Sequence, residues 1–137
     1  MSGLSFLDTN ILVYAYDPSD QHKQNISKEL VRGAFLGRNM ISAQVLAEFA
    51  STLLHKVAVR RTAEEIAAML DILSPIKLVI PDADMIRRAV EVHAAYGIHF
   101  YDGMIVAAAE RAGCENILSE DLNSGQEYFG LAVANPF

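Results

Sequence analysis

The sequence predicts an α/β fold with a mainly parallel central sheet flanked by helices. Short apolar runs bounded by turn residues, at residues 5–7, 39–41, 76–80 and 116–119, read as buried strands. Segments with apolar residues three and four apart lie between them, which makes β-α-β units and a parallel sheet. No repeat, low-complexity tract or linker interrupts the 137 residues, so a single domain 1–137 is expected.

Taken in order, strand one is Ser5–Leu7, and it ends on Asp8. Asp8 would then cap a segment from Thr9 to Tyr16, and Asp17-Pro18-Ser19-Asp20 is a turn cluster. A helix is expected over 21–36, with Ile26, Leu30, Val31 and Phe35 on its apolar stripe and Gly37 as its stop. Residues 39–41 form strand two. Ser42 caps a helix through Leu54 that turns Val45, Leu46, Phe49 and Leu53 inward. A connection carrying local positive charge follows at 57–61. Thr62-Ala63-Glu64-Glu65 is a capping box opening a helix to Leu73, closed by Ser74-Pro75. Residues 76–80 make strand three, ended by Pro81. Asp82 or Asp84 starts a helix carrying Ile86, Ala89, Val90 and His93, with Gly97 at its end. An alanine-rich helix follows Asp102 and closes at Gly113. Residues 116–119 and 131–134 complete the strands.

A hydrophobic content of 52% with 20% charged residues excludes an intrinsically disordered chain. The one cysteine, Cys114, excludes an internal disulfide framework and suits a reducing compartment. No apolar run reaches membrane-spanning length and no signal-peptide pattern opens the chain, so a cytoplasmic protein is expected. The net charge of −6 argues against gripping nucleic acid by bulk electrostatics. If acids are gathered around divalent cations, however, the bare charge misstates the field that a phosphate meets.

Four acids fall at comparable places: Asp8 after strand one, Glu48 two turns into the helix after strand two, Asp102 at a helix start, and Asp121 after the strand at 116–119. Singly, each has an ordinary use as a cap, a turn residue or part of a solvated helix face. Together they are different, because parallel topology carries strand ends to one edge, where ligands bind in open α/β sheets. Clustered carboxylates repel and raise one another's pKa values unless cations neutralise them. All-oxygen donors suit Mg²⁺ or Mn²⁺, whereas zinc lacks paired cysteines or histidines here. Such a metal activates water and offsets charge on a phosphate, with one ion or two. Thr9, Asn10, Ser42 and Ser119 stand beside the strand ends, where they would orient carboxylates or waters or serve as caps. His22, His55, His93 and His99 show no nucleophile–base pattern, and no phosphate-cradling glycine motif appears.

Phe6-Leu7-Asp8-Thr9-Asn10, the stretch from Ser42 to Phe49, Tyr101-Asp102-Gly103 with its alanine-rich continuation, and Leu118-Ser119-Glu120-Asp121-Leu122 resemble the four acidic motifs of PIN-domain ribonucleases. In particular they resemble the VapC-type toxins of prokaryotic toxin–antitoxin pairs. The resemblance implies a PIN-like three-layer sandwich and a Mg²⁺- or Mn²⁺-dependent endoribonuclease whose products carry 5′-phosphate and 3′-hydroxyl ends. It places Asp8, Glu48 and Asp102 as metal ligands, joined by Asp121. Glu120 competes for that fourth role, but Asp121 stands two residues past the small hydroxyl residue that ends the strand. It also implies an RNA substrate, a homodimer and a cognate antitoxin protein. Basic residues are few: Lys56, Arg60 and Arg61 are the candidate RNA contacts nearest an apparent loop, and Lys23, Lys28, Arg32, Arg38, Arg87 and Arg88 are further candidate RNA contacts. Two other functions compete. An aspartate-based phosphatase would need Asp-x-Asp, and Asn10 holds the second acid's place. A non-catalytic interaction module would use the same fold without the chemistry.

Overall fold

The structure is a computed structural model and describes residues 3–137. The elements run β1 (Ser5–Leu7), α1 (Thr9–Ala15), α2 (Gln21–Phe35), β2 (Asn39–Ser42), α3 (Ala43–His55), a 3₁₀ turn (Val57–Val59) and α4 (Ala63–Leu73). They continue with β3 (Leu78–Val79), α5 (Ala83–Tyr96), α6 (Phe100–Arg111), β4 (Asn116–Leu118), β5 (Glu127–Tyr128) and β6 (Leu131–Ala134). The sheet order is β3-β2-β1-β4-β6-β5, parallel except for β5. Helices flank it, which is the α/β arrangement that the alternation of elements predicts.

β1 lies in the middle because its residues suit a fully buried strand: Phe6 and Leu7 are wholly inaccessible. Phe6 sits opposite Met40 of β2 and Ile117 of β4. From β1 the chain winds outward through β2 and β3, then returns to build β4 and β6 on the other side. The carboxyl ends of β1 and β4 therefore border the crevice where the winding reverses, which is where open parallel sheets bind ligands.

Local signals fix the helix starts. Ser42 accepts from the Val45 N–H, Asp82 from Met85, and Thr62 with Glu65 completes a reciprocal capping box. Asp82, not Asp84, is thus the cap of α5. Gly97 ends α5 with φ of 70°, a conformation that costs glycine little.

Several expectations change. α2 buries Gln24, Ser27, Val31 and Ala34, so its face is rotated away from Phe35, which is 41% exposed. α5 buries Met85, Ala89 and Val92 and turns Ile86, Val90 and His93 outward. In both helices two stripes offer helical periodicity, and contact with neighbouring elements selects between them. β3 shrinks to two residues at the edge of the sheet, between Pro75 and Pro81, neither of which has an N–H to donate. α6 begins at Phe100, capped by His99, which places Asp102 inside the first turn. β5 was absent from the sequence expectation. It forms a hairpin with β6 through Phe129 and Gly130, both at positive φ, as a two-residue turn requires. Phe129 is held there by an N–H bond to the Tyr96 hydroxyl (2.8 Å) and by the Arg88 guanidinium 3.9 Å above its ring.

Candidate active site

Asp8 serves two elements at once. It follows β1 and caps α1, with Oδ1 accepting from the Thr9 N–H at 2.8 Å and Oδ2 accepting from the Ser119 hydroxyl at 2.7 Å. Only 7% of it is exposed. Burial pushes its carboxyl up from 3.8 to about 6, the Ser119 and Thr9 hydrogen bonds oppose the rise, and the charges of Glu48 and Asp121 add to it.

Ser119 is the hub beneath this carboxylate. Its buried hydroxyl donates to Asp8 and accepts from the N–H groups of Asp121 and Leu122, both at 3.1 Å. Asn10 spans the same gap. Its Nδ2 donates to Asp121 Oδ2 (3.2 Å), and its Oδ1 accepts the Glu120 N–H (3.3 Å). The first turn of α1 is thereby laced to the segment after β4, which fixes where Asp121 stands.

Glu48 enters from α3. The Thr9 hydroxyl donates to its Oε1 at 2.9 Å, and Gln44 Nε2 lies 3.4 Å from the same oxygen. Gln44 also donates to the Tyr101 carbonyl (3.0 Å), tying α3 to the first turn of α6 one residue before Asp102. Asp102 is half-buried. Burial raises its pKa, the His99 ring opposes this, and the charge of Asp121 adds to it. Asp8, Glu48, Asp102 and Asp121 thus share one electrostatic neighbourhood, and among the described residues no Lys or Arg forms an ion pair with any of them.

The structure separates the two neighbouring acids after β4. Glu120 is bonded by the Lys23 ammonium and the Tyr14 hydroxyl, which hold its carboxyl below its usual range. Asp121 faces the carboxylates instead. Ser42 stands apart: its hydroxyl caps α3 and reaches no carboxylate among the described residues. Arg61 gives its guanidinium to the carbonyls of Tyr16 (3.0 Å) and Val59 (3.2 Å), and Arg60 reaches the His55 carbonyl at 3.3 Å. Lys56 stays exposed at the end of α3. Gln44 and Tyr14 organise the site without having been assigned to it from sequence, while Lys23, a candidate RNA contact, is taken up by Glu120. Gln44 lies inside the Ser42–Phe49 motif, which was the available signal, but its partner Tyr101 is 57 residues away.

The four acids fit a hard divalent cation in chemistry: oxygen donors only, partly desolvated, with no counter-charge. As they stand, no three His, Cys, Asp or Glu side chains among the described residues converge closely enough to enclose an ion.

Comparison with known families settles the class, since the PIN domain family matches residues 5–124. The chain belongs to the PIN-domain family. A comparison with curated protein sequences finds no match. Among solved structures, this PIN domain is similar to a toxin–antitoxin complex from Klebsiella pneumoniae at 18% identity and a TM-score of 0.71, covering 97% of this chain and 98% of the other. It is similar to DNA-bound VapBC from Salmonella typhimurium at 18% identity and a TM-score of 0.69, with 97% and 98% covered. It is also similar to VapC20 of Mycobacterium tuberculosis, described as a sarcin–ricin-loop-cleaving toxin, at 20% identity and a TM-score of 0.64, with 85% and 91% covered. At these identities the likeness establishes the shared fold.

Proposed function

We propose that this PIN-domain protein is a metal-dependent endoribonuclease and the toxin of a toxin–antitoxin pair. One observation carries the reading: four carboxylates share one electrostatic neighbourhood at the carboxyl edge of the sheet, none of them ion-paired with a protein cation among the described residues, and the most buried is pushed up to about 6. A fold tolerates such a cluster when something absent from the chain neutralises it. Asp8, Glu48, Asp102 and Asp121 would hold Mg²⁺ or Mn²⁺. When bound, the metal supplies acidified water and offsets charge on the phosphodiester.

The chain's own residues do the positioning. Ser119 and the Thr9 N–H each bond one oxygen of Asp8, which orients its carboxylate. The Thr9 hydroxyl and Gln44 orient Glu48. Asn10 holds Asp121 while Lys23 and Tyr14 draw Glu120 away from it. Precise placement of this kind is what a hydrolase requires of groups surrounding a reacting phosphate.

The toxin role draws support from the similar structures, one described as a toxin–antitoxin complex and one as a toxin. A homodimer is proposed with it, and Ile86 and Val90, one turn apart on α5 and both exposed, are the apolar pair available for self-association. Among the described residues no helix is long and apolar enough to cross a membrane, and the cytoplasm is the proposed compartment. A non-catalytic interaction module has one observation in its favour, namely that no three of these groups already converge to enclose an ion.

Cleavage of a mixed RNA pool in EDTA, Mg²⁺ or Mn²⁺ decides between them. The nuclease reading expects cutting only with metal, abolished in Asp8→Asn. Metal binding without any cutting would favour the module.

A further inference from the structure

Of the two adjacent acids after β4, only one lines the cavity of about 350 Å³ beside the carboxylates: Asp121 does, together with Tyr14 and Glu48, and Glu120 does not. Every polar handle of Glu120 is taken. The Lys23 ammonium bonds Oε1, the Tyr14 hydroxyl bonds Oε2, and the Glu120 N–H donates to Asn10 Oδ1 at 3.3 Å. Glu120 is thus joined to the cavity wall twice, through the chain to Asp121 and through a hydrogen bond to Tyr14, without entering the cavity.

We propose that Lys23 is a positioning residue that decides which of these two acids belongs to the site: it holds Glu120 in reserve, and Glu120 takes over the role of Asp121 when that hold is removed. The proposal rests on the metal-dependent nuclease reading and adds what selects the fourth acid. Lys23 is the third residue of α2, and the positive end of a helix disfavours a cation, so its charge works against the helix that carries it. Its main chain is nevertheless fixed there, because its N–H donates to the capping Asp20 Oδ1 at 3.1 Å. A lysine kept at that position serves a partner beyond the helix, and the partner is Glu120, 97 residues away.

The hold is enclosed. The Lys23 ammonium lies 4.9 Å from the Tyr14 ring centroid and 5.7 Å from that of Phe137, and the two rings meet edge-on at 5.3 Å. The side chains of Lys23 and Glu120 are each only 25% exposed. An ion pair covered by aromatic rings is less screened than one in open water, and its ammonium is occupied on the carboxylate side. Without the ammonium, the Glu120 carboxylate keeps a single donor among the described residues, the neutral Tyr14 hydroxyl. Such a bond is weaker than a charge-assisted one. A divalent ion beside Asp8, Glu48 and Asp102 then draws Glu120 toward it, and the glutamate side chain has one methylene more of reach than that of Asp121.

Mn²⁺ binding to the full chain, followed by the electron paramagnetic resonance signal of free Mn²⁺, tests this. Asp121→Asn is expected to weaken binding about tenfold. Adding Lys23→Met to that variant should bring binding back to within about threefold of wild type, because Glu120 supplies the missing carboxylate. Adding Lys23→Arg instead, which keeps the hold, recovers nothing, and Glu120→Gln placed on the double variant abolishes the recovery. Tyr14→Phe in the Asp121→Asn background loosens the same carboxylate by one bond and recovers a smaller part. A merely structural ion pair would make each added substitution weaken binding further. No recovery with Lys23→Met, or a recovery that survives Glu120→Gln, overturns the proposal, and metal-dependent cutting of RNA by wild type would still leave the nuclease reading standing. Recovery of Mn²⁺ binding with no cutting by wild type removes the nuclease and keeps the role of Lys23. Wild type that binds no Mn²⁺ overturns both.

Discussion

Two regions of this molecule use acidic residues in opposite ways. Between α5 and α6, three acids are paired with cations: Arg88 binds Glu110 through two bonds at 2.8 and 2.9 Å and Glu91 at 2.8 Å, and Arg111 binds Asp82. Asp82 is drawn below its usual range by Arg111. At the carboxyl edge of the sheet Asp8 goes the other way, up to about 6, because burial acts on it without a compensating cation. The chain pairs these acids with cations where they serve the fold, whereas among the described residues no ion pair reaches the acids at the sheet edge, which the proposed metal would neutralise. Glu120 and Asp121 make the same contrast between adjacent residues, one bonded by Lys23 and the other left with its carboxylate facing the site.

Substitution at the edge should strike activity hardest. Asp102→Asn is expected to lower cleavage by at least about a hundredfold while thermal unfolding remains cooperative. Comparable cutting by the variant would erase the distinction between the two regions.

On the α5–α6 side the largest effect is steric. A Cβ added at Gly103 would lie 2.7 Å from the Ala89 carbonyl oxygen, so Gly103→Ala should destabilise the fold by about 2 kcal/mol, measured by denaturant unfolding. Gly103 follows Asp102 directly, and close helix packing there sets the depth at which that acid enters the site.

The pH dependence sharpens the comparison further. A carboxyl raised from 3.8 to about 6 by folding penalises the metal-free folded state above pH 6, and the penalty fades as pH falls from there toward 3.8. Metal-free protein should therefore gain about 1 kcal/mol of stability between pH 7 and pH 5 relative to Asp8→Asn, by paired denaturant titrations. Asp82 and Glu120, whose pKa values are lowered, contribute stability that is lost only further into the acid range. A wild-type curve parallel to that of the variant would show that Asp8 is not buried as described.

The smallest effect belongs to the paired acids. Arg88→Met should cost about 1 kcal/mol or less, since its pairs are partly solvated, and should leave cleavage unchanged.

The sequence carried the central strand, the caps and the positions of the four acids, because each is a local pattern: an apolar run ending on Asp8, a hydroxyl before a helix, a capping box. What it withheld depends on contacts across the chain. α5 has two apolar stripes, and periodicity alone does not say whether Met85 and Val92 or Ile86 and Val90 face inward. β5 is two residues long and exists through the turn at Phe129 and Gly130, which no strand pattern announces. The bonding of Glu120 was decided by Lys23, 97 residues earlier. The carbonyl of Tyr16 that holds Arg61 appears only in the folded chain.

The most direct test is a Mn²⁺ titration followed by thermal unfolding, in wild type and in Asp102→Asn. A cation that fills the carboxylate cluster stabilises the folded state in proportion to the logarithm of its free concentration above Kd. Wild type should show a steadily rising Tm, and Asp102→Asn should show a rise displaced to much higher Mn²⁺. A Tm that ignores Mn²⁺ in wild type, or rises identically in both proteins, would mean that the unpaired acids at the sheet edge are not a metal site.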